Sequence, residues 1–346
     1  MFTLYRASIK KSDKTLPKKQ QGFTLVELMI SLVLGLLISA AVIQVYIANV
    51  KSVTLQEAGS SIIDSNVFGM PVLEDHIRLA NLGLAETIND TNEGAGIVLT
   101  QVGNLKDIKL SGDEDVPLTL LTNTGDVTAI GTGNQWSAMT ATDTSSGQLT
   151  IQFRAPQDMF DCEGRLALGP REVKLNKVNK IIDGQIIIER YYLNAQDTSK
   201  PNQLSLYCDA GKYITEDMDS YAKQGDADKP STVFTAKNII KDFGDKGEVV
   251  IPNMDYFDIL LGTKKADDIR YYTVKQYTES VDKPEVISVK IGGIIRSDNV
   301  VQTSELANEF SVLGNDVKLK TDATEVEKKF LRFVVQNEIA LRNARQ

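Results

Sequence analysis

A predominantly hydrophobic run lies near the N-terminus, over residues 23–50, and Glu27 is its one charged side chain. A helix needs roughly 20 apolar residues to cross the hydrocarbon core of a bilayer, and this run is longer. The pattern therefore predicts a helix that crosses a membrane over residues 23–48. Glu27 is unexpected there, because a charged side chain is unfavourable in hydrocarbon and usually marks a function.

Apolar residues recur at helical spacing beyond the run, which predicts that the helix continues to residue 83 as an amphipathic segment. Their positions are Leu55, Ile62, Ile63, Val67, Met70, Leu73, Ile77 and Ala80. Pro71 lacks an amide N–H and clashes with the preceding turn, so a kink or break is predicted near Gly69-Met70-Pro71. The helix is predicted to stop at Asn81-Leu82-Gly83.

After residue 84 the pattern changes to short β-branched and aromatic runs between turn residues, which is typical of strands. The clearest predicted strands are 149–154, 185–193, 203–208, 256–261 and 285–295. Residues 84–146 read as a loop-rich part, a possible subdomain, that Trp136 anchors to the core. The predicted fold class is α+β, with one long N-terminal helix packed on an antiparallel, strand-rich head that spans residues 84–346.

Charge is distributed unevenly along the chain, which has 346 residues and a net charge of -8. Residues 1–22 hold six lysine and arginine side chains against Asp13 alone. Basic residues before an apolar span favour a cytoplasmic N-terminus, so the acidic remainder is predicted to lie outside the cytoplasm. An overall acidic chain argues against a nucleic-acid-binding surface made by general basicity.

Two simpler interpretations of the apolar run remain open. A cleaved secretory signal would use Ser39-Ala40-Ala41 as its small-residue cleavage site, and a plain signal anchor would keep the helix. Neither explains Glu27, since the apolar region of a signal peptide spans about 7–15 residues and carries no acid.

The order of features resembles the class III signal of type IV pilins and type II secretion pseudopilins. A basic leader ends at Gly22, Phe23-Thr24-Leu25-Val26-Glu27 follows, and the apolar helix continues from there. The resemblance implies that a prepilin peptidase removes the leader, residues 1–22, between Gly22 and Phe23, and that the new amino group of Phe23 is methylated. It also implies that Glu27 pairs with the α-amino group of a neighbouring subunit and sets the register of assembly.

Cys162 and Cys208 are the two cysteines of the chain. An extracytoplasmic location favours a disulfide between them, which would contribute roughly 4 kcal/mol in the chain-entropy model. Two free buried thiols are the alternative.

Several segments are similar, in order, to PilW-type minor pilins. They are Asp161-Cys162-Glu163-Gly164, residues 186–192, residues 204–208, residues 285–297 and a closing strand over 330–345 with Leu341-Arg342-Asn343. This resemblance implies a non-catalytic minor pilin that helps to prime type IV pilus assembly, lies at or near the pilus tip and supports twitching motility. Its implied partners are other minor pilins, the major pilin, the prepilin peptidase and the inner membrane, with a periplasmic head that later joins the fibre at the cell surface. A J-like minor pseudopilin of a type II secretion system, or a membrane-anchored periplasmic adhesin or enzyme, is the alternative.

Catalytic, cofactor and metal motifs are absent from the sequence. His76 is the single histidine, which excludes Ser-His-Asp and Cys-His catalysis and multi-histidine metal centres of the usual kinds. Its position on the amphipathic helix predicts a solvated or helix-packing side chain. No phosphate loop, dinucleotide fingerprint or EF-hand calcium loop occurs, so we predict no enzyme activity, no cofactor and no metal.

Overall fold

A computed structural model describes residues 22–125, 130–131, 135–175, 178–196, 203–216, 237–265, 268–303, 306–321, 323–324 and 326–341. The chain forms two compact units, Met1–Ser52 and Val53–Gln346. Except for Gly22, the predicted leader lies outside the described residues, as do Arg342 and Asn343 of the terminal Leu-Arg-Asn.

The first unit consists, in its described part, of three non-helical residues and the beginning of helix α1 (Leu25–Leu79). Apolar side chains of this part are exposed on all sides, as shown by Leu34 (54%), Leu37 (62%) and Val42 (61%). Its most apolar stretch of 18 residues has a mean hydropathy of 2.5, and none of that stretch is buried. By length and composition, α1 is able to cross a membrane.

In the second unit, α1 packs one face against a sheet. Met70, Leu73 and Ile77 are buried there, in one cluster with apolar residues of several strands. The helix continues through Pro71, so of the predicted kink or break, the break is wrong. We attribute this to the buried residues on either side of Pro71, because their burial offsets the hydrogen bond that proline cannot make.

Helix α1 ends close to the predicted position. Leu79 is its last helical residue, and Asn81 follows with a left-handed backbone (φ 68°). The Asn81 amide donates to the Gln152 carbonyl (2.9 Å), and its side-chain oxygen accepts from the Gly96 amide (3.0 Å). Asparagine tolerates this backbone conformation, and its side chain fixes the chain that leaves the helix.

Two four-stranded antiparallel sheets form the head, with strand orders β11-β9-β8-β3 and β13-β12-β14-β17. The described strands, in chain order, are β1 (Lys109–Leu110), β2 (Glu114–Asp115), β3 (Gln148–Arg154), β4 (Met159–Phe160), β5 (Leu166–Ala167), β6 (Arg171–Leu175), β7 (Val178–Ile182), β8 (Ile186–Ala195), β9 (Leu204–Tyr213), β10 (Ile239–Ile240), β11 (Glu248–Ile251), β12 (Met254–Lys265), β13 (Asp268–Tyr272), β14 (Val286–Val300), β15 (Glu309–Val312), β16 (Asn315–Lys318) and β17 (Phe330–Ala340). Two short helices are α2 (Gln101–Asn104) and α3 (Val274–Glu279). The long N-terminal helix and the antiparallel, strand-rich head confirm the predicted fold class.

Strand β3 shows how the core is organised. Its apolar residues, Leu149, Ile151 and Phe153, are fully buried in the same cluster as the inner face of α1. Its polar residues, Gln148, Thr150 and Gln152, lie on the opposite face of the strand and are also buried. The alternation of apolar and polar residues in the sequence had indicated that this face is exposed to solvent. The side-chain N–H groups of Gln148 and Gln152 donate to the carbonyls of Leu121 and Ala95, so these buried donors are satisfied.

The described residues of 84–146 cover that polar side of β3. Ile88, Ala95 and Ile97 belong to the main core cluster, and the chain from Val53 onward is one compact unit. Trp136 is buried (1% exposed) against Tyr192, and its indole N–H donates to the Ser146 carbonyl (3.3 Å). This loop-rich part is therefore integrated into the head.

Candidate functional site

The N-terminus of α1 is closed by a capping box. The amide of Glu27 donates to the Thr24 hydroxyl oxygen (3.2 Å), and the amide of Thr24 donates to Glu27 Oε2 (3.0 Å). A Thr-x-x-Glu pattern satisfies two helix N–H groups that otherwise lack partners. The carboxylate also lies at the positive end of the helix dipole, which is a favourable position for a negative charge.

Gly22 and Phe23 precede the capping box in non-helical backbone, and both are exposed (83% for Phe23). The peptide bond at which the resemblance predicts cleavage therefore lies outside the helix. Glu27 Oε2 accepts from the amide of Thr24, the residue that follows Phe23. The carboxylate therefore binds a backbone amide one residue along the chain from the predicted new amino group of Phe23. Glu27 Oε1 has no hydrogen-bond partner among the described residues.

Sequence reasoning missed the role of Thr24. The signal was present, because Thr followed three residues later by Glu, just ahead of an apolar run, is the standard pattern of a capping box. Glu27 therefore has a local structural role as well as the predicted role in assembly, and a test of the latter has to separate the two.

In the head, Cys162 and Cys208 are joined by a disulfide, with their Cα atoms 6.2 Å apart. Cys208 is fully buried on β9, and Cys162 lies in the turn after β4. The amide of Cys162 donates to Glu189 Oε1 (2.9 Å). The disulfide therefore holds the amide N–H of Cys162 close to the buried carboxylate of Glu189.

Glu189 connects three parts of the head although no motif singles it out. It is fully buried on β8, accepts from the Tyr191 hydroxyl (2.8 Å) and forms an ion pair with His76 Nδ1 on α1 (2.8 Å). Burial alone would lower the pKa of His76, but the hydrogen bond and charge of Glu189 raise it above the ordinary value. His76, which the sequence predicted to be solvated or helix-packing, is thus mostly buried and ties the end of α1 to the sheet.

Glu163, Asp209 and Asp245 form an acidic cluster, with carboxylate oxygens within 4.8 Å of one another. Arg165 pairs with Glu163 (2.7 Å) and Arg190 pairs with Asp209 (2.7 Å). Burial raises the pKa of Glu163 to about 7 and that of Asp209 to about 6, against the opposing effect of the arginines. The arrangement is that of an ion-pair network, since the arginines already neutralise two of the three acids.

A second group of potential metal ligands, Cys162, Glu189 and Cys208, has no thiolate to offer. Both sulfur atoms are in the disulfide, and the oxygens of Glu189 accept hydrogen bonds from three groups of the head. The group therefore stabilises the fold and does not form a metal centre.

Comparison with known proteins adds information about the N-terminus. Residues 17–43 match the prokaryotic N-terminal methylation motif. The structure is similar to that of a type IV-like pilin from Thermus thermophilus, with a TM-score of 0.34 and 10% sequence identity over 82% of this chain and 97% of that chain. No curated protein matches the chain. The chain therefore carries a prepilin N-methylation motif that extends across the capping box into α1.

Proposed function

We propose that this protein is a minor pilin of a type IV pilus, similar to PilW-type subunits, that acts by assembly rather than catalysis. A prepilin peptidase removes residues 1–22, and the amino group of Phe23 is methylated. The protein then lies in the inner membrane as a single-pass subunit with a periplasmic head. It helps to prime pilus assembly with other minor pilins and the major pilin, and it is incorporated at or near the tip.

The observation that carries this proposal is the coincidence of the methylation motif with a capped, exposed, apolar helix. Cleavage before such a helix leaves it on the mature protein, whereas an ordinary signal peptidase would remove it. Its exposed apolar side chains then require lipid or the helices of other subunits to cover them. The helix is thereby both a membrane anchor and an assembly element.

Glu27 supplies a specific contact within this otherwise apolar surface. A charge costs about 2.5–3.5 kcal/mol at the centre of a membrane helix and less near an end, where Glu27 lies, and an acid within an apolar span usually marks a function and a partner. In the proposed assembly the partner is the cleaved, methylated amino terminus of a neighbouring subunit. Oε2 stays in the capping box, and Oε1 is available to that cation.

Two substitutions of Glu27 separate assembly from capping. Glu27→Gln keeps an acceptor at the third helical position, which a capping box accepts, but it removes the charge. Glu27→Ala removes both. We expect both variants to be processed and inserted into the membrane, and both to be depleted from sheared pili on immunoblots. Normal incorporation of Glu27→Gln would refute the proposed charge pairing.

Deletion of the gene tests the assembly system to which the protein belongs. We expect loss of surface pili and of twitching motility, with normal type II secretion, and restoration of both by the intact gene. Loss of secretion with intact twitching would instead assign the protein to a type II secretion system. Mass spectrometry of the mature protein is expected to identify an N-methylated Phe23, and a start at Val42 would contradict the proposed maturation.

A further inference from the structure

Strand β17 forms a long outer edge of the head. The four outer edges of the two large sheets are β3, β11, β13 and β17. The edge of β3 is covered, because residues 96–98 and Asn123 bond to its backbone. Strands β11 and β13 have four and five residues, whereas β17 has eleven. Proteins usually keep such edges short or covered, because an uncovered edge pairs readily with another chain.

Every second backbone unit of β17 points away from its sheet. The Leu341 amide donates to the Ile287 carbonyl of β14 (2.8 Å), so the odd-numbered residues of β17 bond to β14. The even-numbered residues direct their amide and carbonyl groups outwards, and they include Val334, Gln336, Glu338 and Ala340. Among the described residues, these outward backbone groups have no hydrogen-bond partner. They form a row of donors and acceptors with the spacing of a strand.

The beginning of this edge is closed by the chain itself. Arg332 Nη1 donates to the Phe330 carbonyl (3.2 Å). Arg332 is held there by Asp255, which accepts from its Nε (2.8 Å) and also contacts the Nε of Arg296 (3.1 Å). The part of the edge that is open to another chain is therefore residues 334–340.

One side of the edge, towards α1, is apolar. Asn337 Nδ2 donates to Glu74 Oε1 on α1. Phe333 lies on the same face of β17 as Asn337 and is 62% exposed. Val67 and Ile63, about two and three turns before Glu74 on the same side of α1, are 55% and 61% exposed. Apolar side chains of an added strand would cover these residues.

The other side of the edge is polar. An open groove of about 530 Å³ lies there, and Gln336, Glu338, Lys290 and Tyr271 are among the residues that line it. The Lys290 ammonium lies 3.5 Å from the ring centre of Tyr271 and 3.7 Å from the Glu338 carboxylate. This side therefore suits polar side chains.

We propose that β17 binds an extended segment of another polypeptide as an additional antiparallel strand. The segment bonds to the outward backbone groups of residues 334–340, its apolar side chains cover Phe333 and its alternate polar side chains enter the groove. In recognition of this kind, main-chain bonds supply affinity and alternate side chains supply specificity. A second copy of β17 fits less well, because its own Val335 and Ile339 are buried in its core and cannot cover Phe333.

Strand addition does not depend on the proposed pilin function, because it uses only the head and the part of α1 that packs on it. Binding is measured with the full chain in a non-ionic detergent, by fluorescence anisotropy of a dye-labelled probe. The probe is the peptide Lys-Thr-Val-Thr-Val-Thr-Val-Thr-Lys with both ends capped. We expect saturable binding at one site, and its absence would overturn the proposal.

N-methylated forms of the probe test the pairing. In an antiparallel pair with the valines towards α1, the amides that bond to β17 belong to the threonines. N-methylation of the threonines is expected to weaken binding at least tenfold, through the loss of several hydrogen bonds. N-methylation of the valines is the matched control and is expected to change binding less than about twofold. Equal binding of the two methylated peptides would contradict strand addition.

Two substitutions of Glu338 locate the site on β17. Glu338→Pro removes an outward amide, which a strand edge tolerates, and is expected to weaken peptide binding about tenfold. Glu338→Thr loses the same carboxylate but keeps the amide, so it is the matched control and is expected to bind as the unaltered protein does. Circular dichroism melting checks that both variants are folded. Unchanged binding by folded Glu338→Pro would refute the assignment, and the methylated peptides decide the question if that variant does not fold.

Hydrogen exchange and light scattering distinguish other modes of binding. The peptide is expected to slow exchange of the Gln336 and Glu338 amides and to leave that of Ile269 on β13 unchanged. Protection of Ile269 alone would place the peptide on the wrong edge and overturn the proposal. Light scattering without peptide tests for a second copy, and a dimer that Glu338→Pro dissociates would assign the edge to self-association instead.

Discussion

The two ends of α1 differ in both their apolar pattern and their surroundings, since the first is almost wholly apolar and the last is amphipathic. Near its beginning, Leu34 and Leu37 are more than half exposed, whereas Leu73 and Ile77 near its end are completely buried. In the first part of α1, apolar side chains occupy every side of the helix. In the last part, only one face is apolar, and it packs on the core of the head. A helix that is apolar on every side needs lipid or another molecule to bury its surface. An amphipathic helix buries its apolar face against the sheets of the same chain.

A glutamate in each region shows the same contrast. Glu27 is exposed and bonds within its own helical turn, so one carboxylate oxygen is available to another molecule. Glu189 is buried, and donors from α1, β8 and the disulfide turn occupy it. We therefore expect changes at Glu27 to affect assembly and changes at Glu189 to affect folding.

Loss of the disulfide is expected to have the largest effect on the stability of the head. The double variant Cys162→Ser/Cys208→Ser opens a link between residues 46 positions apart. In the chain-entropy model this lowers the free energy of unfolding by about 4 kcal/mol. Chemical denaturation of the full chain in detergent measures it, and the apolar helix is expected to keep its helical signal. An unchanged denaturation midpoint would contradict the stabilising role of the disulfide.

Replacement of Glu189 is expected to be almost as severe. Glu189→Ala leaves a tyrosine hydroxyl, a backbone amide and His76 without their acceptor in a buried site, at a cost of about 3 kcal/mol. Glu27→Ala is the matched control, because the same truncation at an exposed helix end costs about 1 kcal/mol or less. If Glu189→Ala and Glu27→Ala lowered the free energy of unfolding by the same amount, the proposed difference between the buried and the exposed glutamate would be contradicted.

The pH dependence of stability is expected to come from the head. His76 has a raised pKa, so its contribution is complete below about pH 6.5 and is lost as the pH rises through the folded-state pKa. Glu163 has its pKa raised to about 7 by burial, so the folded state binds the extra proton and stability also falls between about pH 4.5 and 7. We expect unfolding free energies to decrease from pH 5 to pH 8.

Two variants divide this pH dependence. Glu163→Gln should reduce the decrease below pH 7, where Asp209, with its pKa raised to about 6, contributes the rest, and His76→Gln should reduce the decrease above pH 6.5. A parallel pH profile for His76→Gln and the unaltered protein would show that the pair with Glu189 does not carry a charge. Substitution of Glu27 should leave the profile unchanged.

The smallest effect is expected at the capping box. Thr24→Ala removes the hydroxyl that accepts from Glu27 and should destabilise the first turn of α1 by about 1 kcal/mol. Faster hydrogen exchange of the Glu27 amide, measured by NMR in micelles, would show it. Thr24→Ser keeps the acceptor and is the control, and equal exchange in the two variants would contradict a capping role.

Local patterns in the sequence were sufficient for much of this fold. The apolar run, the helix end at Asn81 and the five strongest strands follow from periodicity and turn residues, because neighbours in the chain determine them. The prepilin motif is also local, because Gly22, Phe23 and Glu27 are close neighbours in the sequence. Thr24 belongs to the same short stretch, and its helix cap is readable from its spacing to Glu27.

Contacts between distant segments decided the rest. His76 and Glu189 are 113 residues apart, and no spacing in the sequence links them. Continuation of α1 through Pro71, burial of both faces of β3 and the convergence of Arg296 and Arg332 on Asp255 likewise depend on which elements pack together. Thus the sequence by itself determined which segments are apolar and where they turn, since those properties reside in neighbouring residues. Only the tertiary structure decided what covers each apolar face and which charges are buried together, because burial is a property of packed elements.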